Sequence, residues 1–177
     1  MEDTLILVDL EDRETGNGPK LQVHRENRLH RAFSVFIVDG DRMLIQRRAY
    51  DKYHSGGLWA NACCSHPRAG ENLSDAVRRR LMEELGVEAA ARELFSFVYF
   101  QQYDGLSEYE YDHVFLAEYS GDVRYDISEV EEVMWVDISG LVSDVESNPQ
   151  KYCTWFIIAL PKVLKYLRKY RSEREIY

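Results

Sequence analysis

Cysteine and long apolar runs are scarce in this 177-residue chain and an excess of positive charge is missing, and each absence excludes a class of function. The three cysteines, Cys63, Cys64 and Cys153, cannot form a closed set of pairs. No disulfide framework is therefore expected, and a cysteine that matters is a ligand or a reactive thiol. No apolar run approaches the roughly 18 residues that span a bilayer. The start Met1-Glu2-Asp3 lacks the basic opening and apolar core of a secretory signal, so a cytoplasmic location is the expectation. A formal net charge of −9 sets the field of the whole molecule against nucleic acid and anionic membranes. Internal repeats, low-complexity tracts and Pro/Gly-rich linkers are missing as well, and one domain covering residues 1–177 is expected.

What is present is an ordinary globular composition, 45% apolar and 30% charged. Leu5–Val8 reads as a first strand, followed by a loop through Thr15-Gly16-Asn17-Gly18-Pro19. Ala32–Val38 and Met43–Gln46 are β-branched and aromatic runs joined by Asp39-Gly40, a strong hairpin signal. Leu58–Ala62 is a further strand. A helix is predicted from about Ser74 to Leu85, with Asn72 or Ser74 as N-cap, apolar Leu73, Val77 and Leu81 at four-residue spacing, and Gly86 as the stop. Strands follow over Leu94–Gln102, Tyr109–Tyr119 and Val133–Val136, then a helix from Trp155 to Arg174, interrupted or restarted at Pro161. The sum is an α+β chain, a mixed sheet flanked by helices, with strand order left open.

Against the acidic background the local bases stand out. Arg47-Arg48, Lys52 and Arg78-Arg79-Arg80 are solvated faces taken singly, or one anion-binding site taken together. The predicted helix carries a pattern that decides between these. It resembles the Nudix box, G-x5-E-x7-R-E-U-x-E-E-x-G-U with U aliphatic. Here the pattern runs from Ser65 through Glu71 to Arg79-Arg80-Leu81-Met82-Glu83-Glu84-Leu85-Gly86-Val87. In that motif a loop–helix–loop offers carboxylates to a divalent cation that grips a diphosphate, and Mg²⁺ suits the task because it prefers oxygen ligands. Two positions depart from it: Ser65 stands for the opening glycine, and Arg80 for the glutamate after the arginine. A cation in place of that carboxylate weakens water activation for hydrolysis. With Glu84 one turn away, Arg80 suits binding a diphosphate without cleaving it, unless the two are a plain surface ion pair.

A second constellation is Asn61-Ala62-Cys63-Cys64-Ser65-His66-Pro67. His24 and His30 lie upstream and Glu108-Tyr109-Glu110 downstream. On a strand, alternation puts both glutamates on one face, about 7 Å apart. Three imidazoles and two carboxylates make a nitrogen/oxygen site for a borderline divalent ion such as Mn²⁺ or Zn²⁺.

Taken together the chain resembles the type 1 isopentenyl-diphosphate isomerases, Nudix-fold members. The resemblance is dense over Leu29–Phe36, Cys63-Cys64-Ser65-His66-Pro67 and Arg79–Gly86, and looser at Glu108-x-Glu110, Asp112 and Trp155-Phe156. It implies an α/β/α sandwich of the Nudix type and a 1,3-proton shift from isopentenyl to dimethylallyl diphosphate, a step of isoprenoid biosynthesis. It further implies Cys64 and Glu110 as the acid–base pair, with Cys63 as packing. Tyr99 would hydrogen-bond that glutamate, and the π face of Trp155 would steady a carbocation. One divalent metal (Mn²⁺, Zn²⁺ or Mg²⁺) is implied at His24, His30, His66, Glu108 and Glu110. The diphosphate is assigned Lys20, Arg48, Lys52 and Arg80, with a Mg²⁺ held by Glu84. A small diphosphate is thus the expected partner, with no nucleic acid or membrane, for a monomer or weak dimer. The competing readings are a Nudix pyrophosphohydrolase, against which Arg80 and Cys64 speak, and a non-catalytic binding module, against which the full set of residues speaks.

Overall fold

The computed structural model describes residues 4–52 and 54–174. Met1-Glu2-Asp3, on which the argument about a secretory signal rested, lie outside the described residues. The elements are β1 (Thr4–Val8), β2 (Glu14–Pro19), α1 (Lys20–Arg25), β3 (His30–Asp39), β4 (Arg42–Arg48), β5 (Trp59–Asn61), β6 (Cys63–Ser65), α2 (Leu73–Leu85), β7 (Ala91–Tyr103), β8 (Leu106–Glu118), β9 (Val130–Asp137), α3 (Ile138–Ser147) and α4 (Thr154–Arg174). The strands form one mixed sheet with β3 at its centre. β3 pairs parallel with β8 and antiparallel with β4 and β6, while β7 extends the sheet beyond β8 and β9 beyond β4.

The continuous apolar run of β3 follows from burial on both faces, as for a strand covered by helices on either side. Phe36 and Val38 pack with Leu141 of α3 and with Phe156, Ala159, Leu160 and Val163 of α4. Phe33, Val35 and Ile37 face the other way, onto Ala76, Val77, Leu81 and Leu85 of α2. The result is the α/β/α sandwich expected from the resemblance.

Helix α2 begins where the Asn72 side chain accepts the Asp75 backbone N–H at 3.0 Å, so Asn72, not Ser74, is the cap. It ends at Gly86, whose φ of 61° is the left-handed stop that glycine adopts without strain. Three local expectations are corrected. The Gly- and Pro-containing segment 14–19 is an edge strand on β1, where both residues are tolerated because only one side is paired. The strand expected over Leu58–Ala62 is β5, Trp59–Asn61, and a further short strand, β6, follows Ala62 at Cys63–Ser65. Finally, α4 runs through Pro161 without a break. Pro161 is exposed, and the buried row Phe156, Ala159, Leu160, Val163 and Leu167 offsets the roughly 3 kcal/mol that proline costs in a helix. No helix among the described residues is long and apolar enough to cross a membrane.

Candidate active site

Strand register brings the chemistry together. Glu110 on β8 lies opposite His30 on its parallel neighbour β3 and opposite Tyr99 on its antiparallel neighbour β7. A row of three side chains across the sheet is therefore set by backbone pairing alone. Glu108, two residues earlier, is on the same face, and α1 delivers His24 beside it. His66 follows directly on β6.

These five residues put one ligand atom each within 4.8 Å of all the others. The geometry favours a cation between them. The Nδ1–H of His24 donates to the Lys20 carbonyl at 2.6 Å and that of His30 to the Arg28 carbonyl at 2.9 Å, leaving both Nε2 lone pairs directed inward. His24 Nε2 then meets Glu108 Oε1 at 3.2 Å, and His30 Nε2 lies 3.6 Å from Glu110 Oε1. Electron-rich atoms facing each other in a buried site need a proton or a metal ion between them. His30 Nε2 is buried with no hydrogen-bond partner. Burial pulls the His66 imidazole down to about 4, which keeps it in the neutral, ligating form. The donor set thus fits one divalent cation.

Glu110 has two further contacts: Tyr99 donates to Oε2 at 2.6 Å, and His66 Nε2 meets Oε1 at 2.8 Å. Burial, then the Glu110 charge, pushes the Tyr99 phenol well up, so it remains a donor. Asp112, next on the same face, is buried, takes the Ser34 hydroxyl at 2.8 Å, and is pushed up by burial and by Glu110.

Alternation along β6 separates the two cysteines. Cys63 is fully buried in the core against α2. Cys64 lines the same cavity as Glu108 and Glu110. Its S–H donates to Asn61 Oδ1 at 3.1 Å, and the Trp155 indole N–H donates to Sγ at 3.1 Å. Burial holds this thiol well above its ordinary range and therefore protonated. Asn61 is in turn fixed by its amide, which donates to the carbonyls of Val35 at 3.1 Å and Cys63 at 2.9 Å.

The cavity is also lined by Lys20, Arg48, Lys52 and Arg80. The Arg48 guanidinium lies 5.3 Å over the Trp155 ring, joining the basic end of the cavity to its aromatic end. Arg80 donates to Glu84 Oε1 at 2.5 and 3.1 Å and to Glu83 at 2.9 Å. The Arg80–Glu84 pair is no surface ion pair, because Glu84 is only 3% exposed. Burial pushes Glu84 up, against the pull of Arg80. Glu71 instead binds Arg79 in bidentate fashion at 2.7 and 2.8 Å. All the sequence-predicted residues therefore converge on one region, with His24, His30 and Glu84 set behind the wall.

Two site residues, His54 and Glu129, carry no signal in the sequence, and a third, Asn61, stands in the second constellation without an assigned role. Asn61 could have been found as a polar residue within an apolar strand. His54 contacts Glu108 Oε1 through Nε2. Glu129 reaches Lys52 at 2.5 Å and Arg80 at 3.4 Å, and both it and His54 line the cavity. Each of the latter two sits in a loop, and nothing in the local sequence points to its distant partners.

The sheet, the loop–helix–loop and the carboxylates around α2 define a Nudix protein, and the family model described as NUDIX domain matches residues 28–156. Among solved structures, a Deinococcus radiodurans protein, DR0079, shares the fold with a TM-score of 0.76 at 20% identity, over 90% of this chain and 98% of that one. A MutT NUDIX hydrolase from Burkholderia pseudomallei has a TM-score of 0.63 at 25% identity, over 76% and 98%. Closer in sequence are two curated proteins. Isopentenyl-diphosphate Delta-isomerase 2 of Aromatoleum aromaticum is 45% identical over 93% of this chain and 88% of its own. The isopentenyl-diphosphate Delta-isomerase of Burkholderia multivorans is 44% identical over 88% and 90%. The chain belongs to this isomerase family within the Nudix proteins.

Proposed function

We propose that this chain, acting as a single domain, interconverts isopentenyl and dimethylallyl diphosphate by a 1,3-proton shift, with Cys64 and Glu110 as its acid–base pair. The observation that carries this reading is one cavity lined by a protonated thiol, a carboxylate and four cationic side chains. Protonating the terminal methylene of an unactivated alkene gives a tertiary carbocation, and removing a proton from the neighbouring C2 gives the internal alkene. One group must give a proton and another must take one; direction of reaction exchanges the roles. Trp155 and Tyr99, both buried beside the pair, exclude water from the cation and offer aromatic surface to it.

His24, His30, His66, Glu108 and Glu110 would hold one divalent ion. When bound, that ion supplies positive charge that orders Glu110 and lowers its basicity. Replacing His66 with alanine should therefore deplete bound metal. Elemental analysis of protein purified without chelator checks this, and full retention would remove His66 from the ligand set.

At the other end, arginine offers paired contacts to phosphate oxygens and lysine a mobile charge. A Mg²⁺ accompanying the diphosphate would be held by Glu84, with Glu129 flanking the same guanidinium. Arg80→Gln should raise KM about 10- to 100-fold, the equivalent of about 1.5–3 kcal/mol for one charged hydrogen bond. An unchanged KM would disprove that contact.

The reaction itself is tested by incubating the protein with isopentenyl diphosphate and divalent ion and separating the products. Dimethylallyl diphosphate with no phosphate release is expected. Release of phosphate or monophosphate would make the chain a hydrolase.

A further inference from the structure

The loop 49–58 between β4 and β5 carries a histidine that none of the roles above uses. His54 is buried at 8% exposure, on the cavity wall. Its Nε2 lies in hydrogen-bond contact with Glu108 Oε1, the same oxygen that His24 meets at 3.2 Å. Glu108 is itself only 2% exposed.

His54 is held firmly in turn. Its ring stacks on Tyr103 at 4.7 Å and stands edge-on to Trp155 at 6.1 Å. Its Nδ1 lies 3.3 Å from the Ser55 hydroxyl, which lies 3.0 Å from the Tyr103 hydroxyl. Because a carboxylate only accepts, His54 Nε2–H is the donor to Glu108, while Ser55 and Tyr103 hold the other edge of the ring in place. The loop is shaped for this. A Cβ on Gly56 would come within 2.5 Å of the Tyr50 carbonyl oxygen, and Gly57, at φ +77°, lies against the Tyr50 ring. The Gly57 N–H donates to the Arg48 carbonyl, and the Arg48 N–H to the Leu58 carbonyl, each at 3.0 Å, which closes the loop at its base.

We propose that His54 is a positioning residue of the metal centre, whose Nε2–H fixes the rotamer of Glu108 so that this carboxylate faces the three imidazoles. The inference rests on the metal reading of the five-residue cluster. A glutamate has three rotatable bonds, and holding it in one geometry before the ion arrives removes an ordering cost from binding. Partners of ligating carboxylates in other proteins contribute about 10- to 100-fold to metal affinity.

The test uses the full chain stripped of metal by chelator and titrated with Mn²⁺, with free Mn²⁺ followed by electron paramagnetic resonance. His54→Phe keeps a ring for the stack on Tyr103 but has no donor. His54→Gln keeps a donor near the Nε2 position. Wild type should bind Mn²⁺, His54→Phe should bind it about 10- to 100-fold more weakly, and His54→Gln should stay within about threefold of wild type. Wild-type affinity in His54→Phe would overturn the proposal, and so would equal weakening in both variants, which would mean that packing matters and the hydrogen bond does not. No binding by wild type would overturn the metal reading first and this inference with it.

Discussion

Cys64→Ala is expected to lower turnover by about 100- to 10,000-fold while leaving diphosphate affinity close to that of the unchanged chain. The thiol lines the cavity, held between Asn61 Oδ1 and the Trp155 indole N–H. Neither partner is charged, and burial keeps the sulfur protonated. Removing Sγ therefore takes away a proton and opens a small gap but leaves Lys20, Arg48, Lys52 and Arg80 untouched. Cys63→Ala provides the matching control. That side chain is fully buried against α2, and its loss should cost some stability without lowering turnover comparably. Near-normal turnover in Cys64→Ala, or a loss confined to Cys63→Ala, would remove Cys64 from the reaction. Rates and equilibrium binding measured on both variants decide it.

Glu110→Gln should be as damaging, for a different combination of reasons. The glutamine keeps the shape and can still accept the Tyr99 hydroxyl at the Oε2 position. It cannot take a proton as a carboxylate does, and it would offer a less charged ligand oxygen to an ion held with His30 and His66. Turnover is expected to fall by about 100- to 10,000-fold, and metal affinity should fall with it. The double loss distinguishes this variant from Cys64→Ala, in which metal binding should be retained. A Glu110→Gln protein that keeps both would contradict the assignment.

Much of this site was legible because its signals are local or follow from strand periodicity. Glu108 and Glu110 alternate on one strand, the β3–β4 hairpin is marked by Asp39-Gly40, and the cap and stop of α2 are written in Asn72 and Gly86. The resemblance supplied what periodicity cannot, namely which cysteine faces the cavity and which distant histidines meet the glutamates. What stayed hidden depends on tertiary pairing. Segment 14–19 reads as a turn by composition and becomes a strand only because β1 offers an edge. Helix α3 is poor in strong helix formers, and forms where Asp137 accepts the N–H groups of Ser139 at 2.9 Å and Gly140 at 3.1 Å. His54 and Glu129 reach partners on other elements, Glu108 for one and Lys52 and Arg80 for the other. Pro161 does not interrupt α4, because the packing of the α4 face on the sheet outweighs one lost helical bond.

The central claim is that a proton is exchanged with a bound diphosphate whose phosphate ester stays intact. The measurement that tests it most directly is incubation of the protein with divalent ion and isopentenyl diphosphate in D₂O, followed by proton and phosphorus NMR. The account predicts deuterium entering a new methyl group of dimethylallyl diphosphate, with both phosphorus signals of the diphosphate preserved. Release of phosphate, or unchanged substrate in the presence of Mg²⁺, Mn²⁺ and Zn²⁺ in turn, would contradict it.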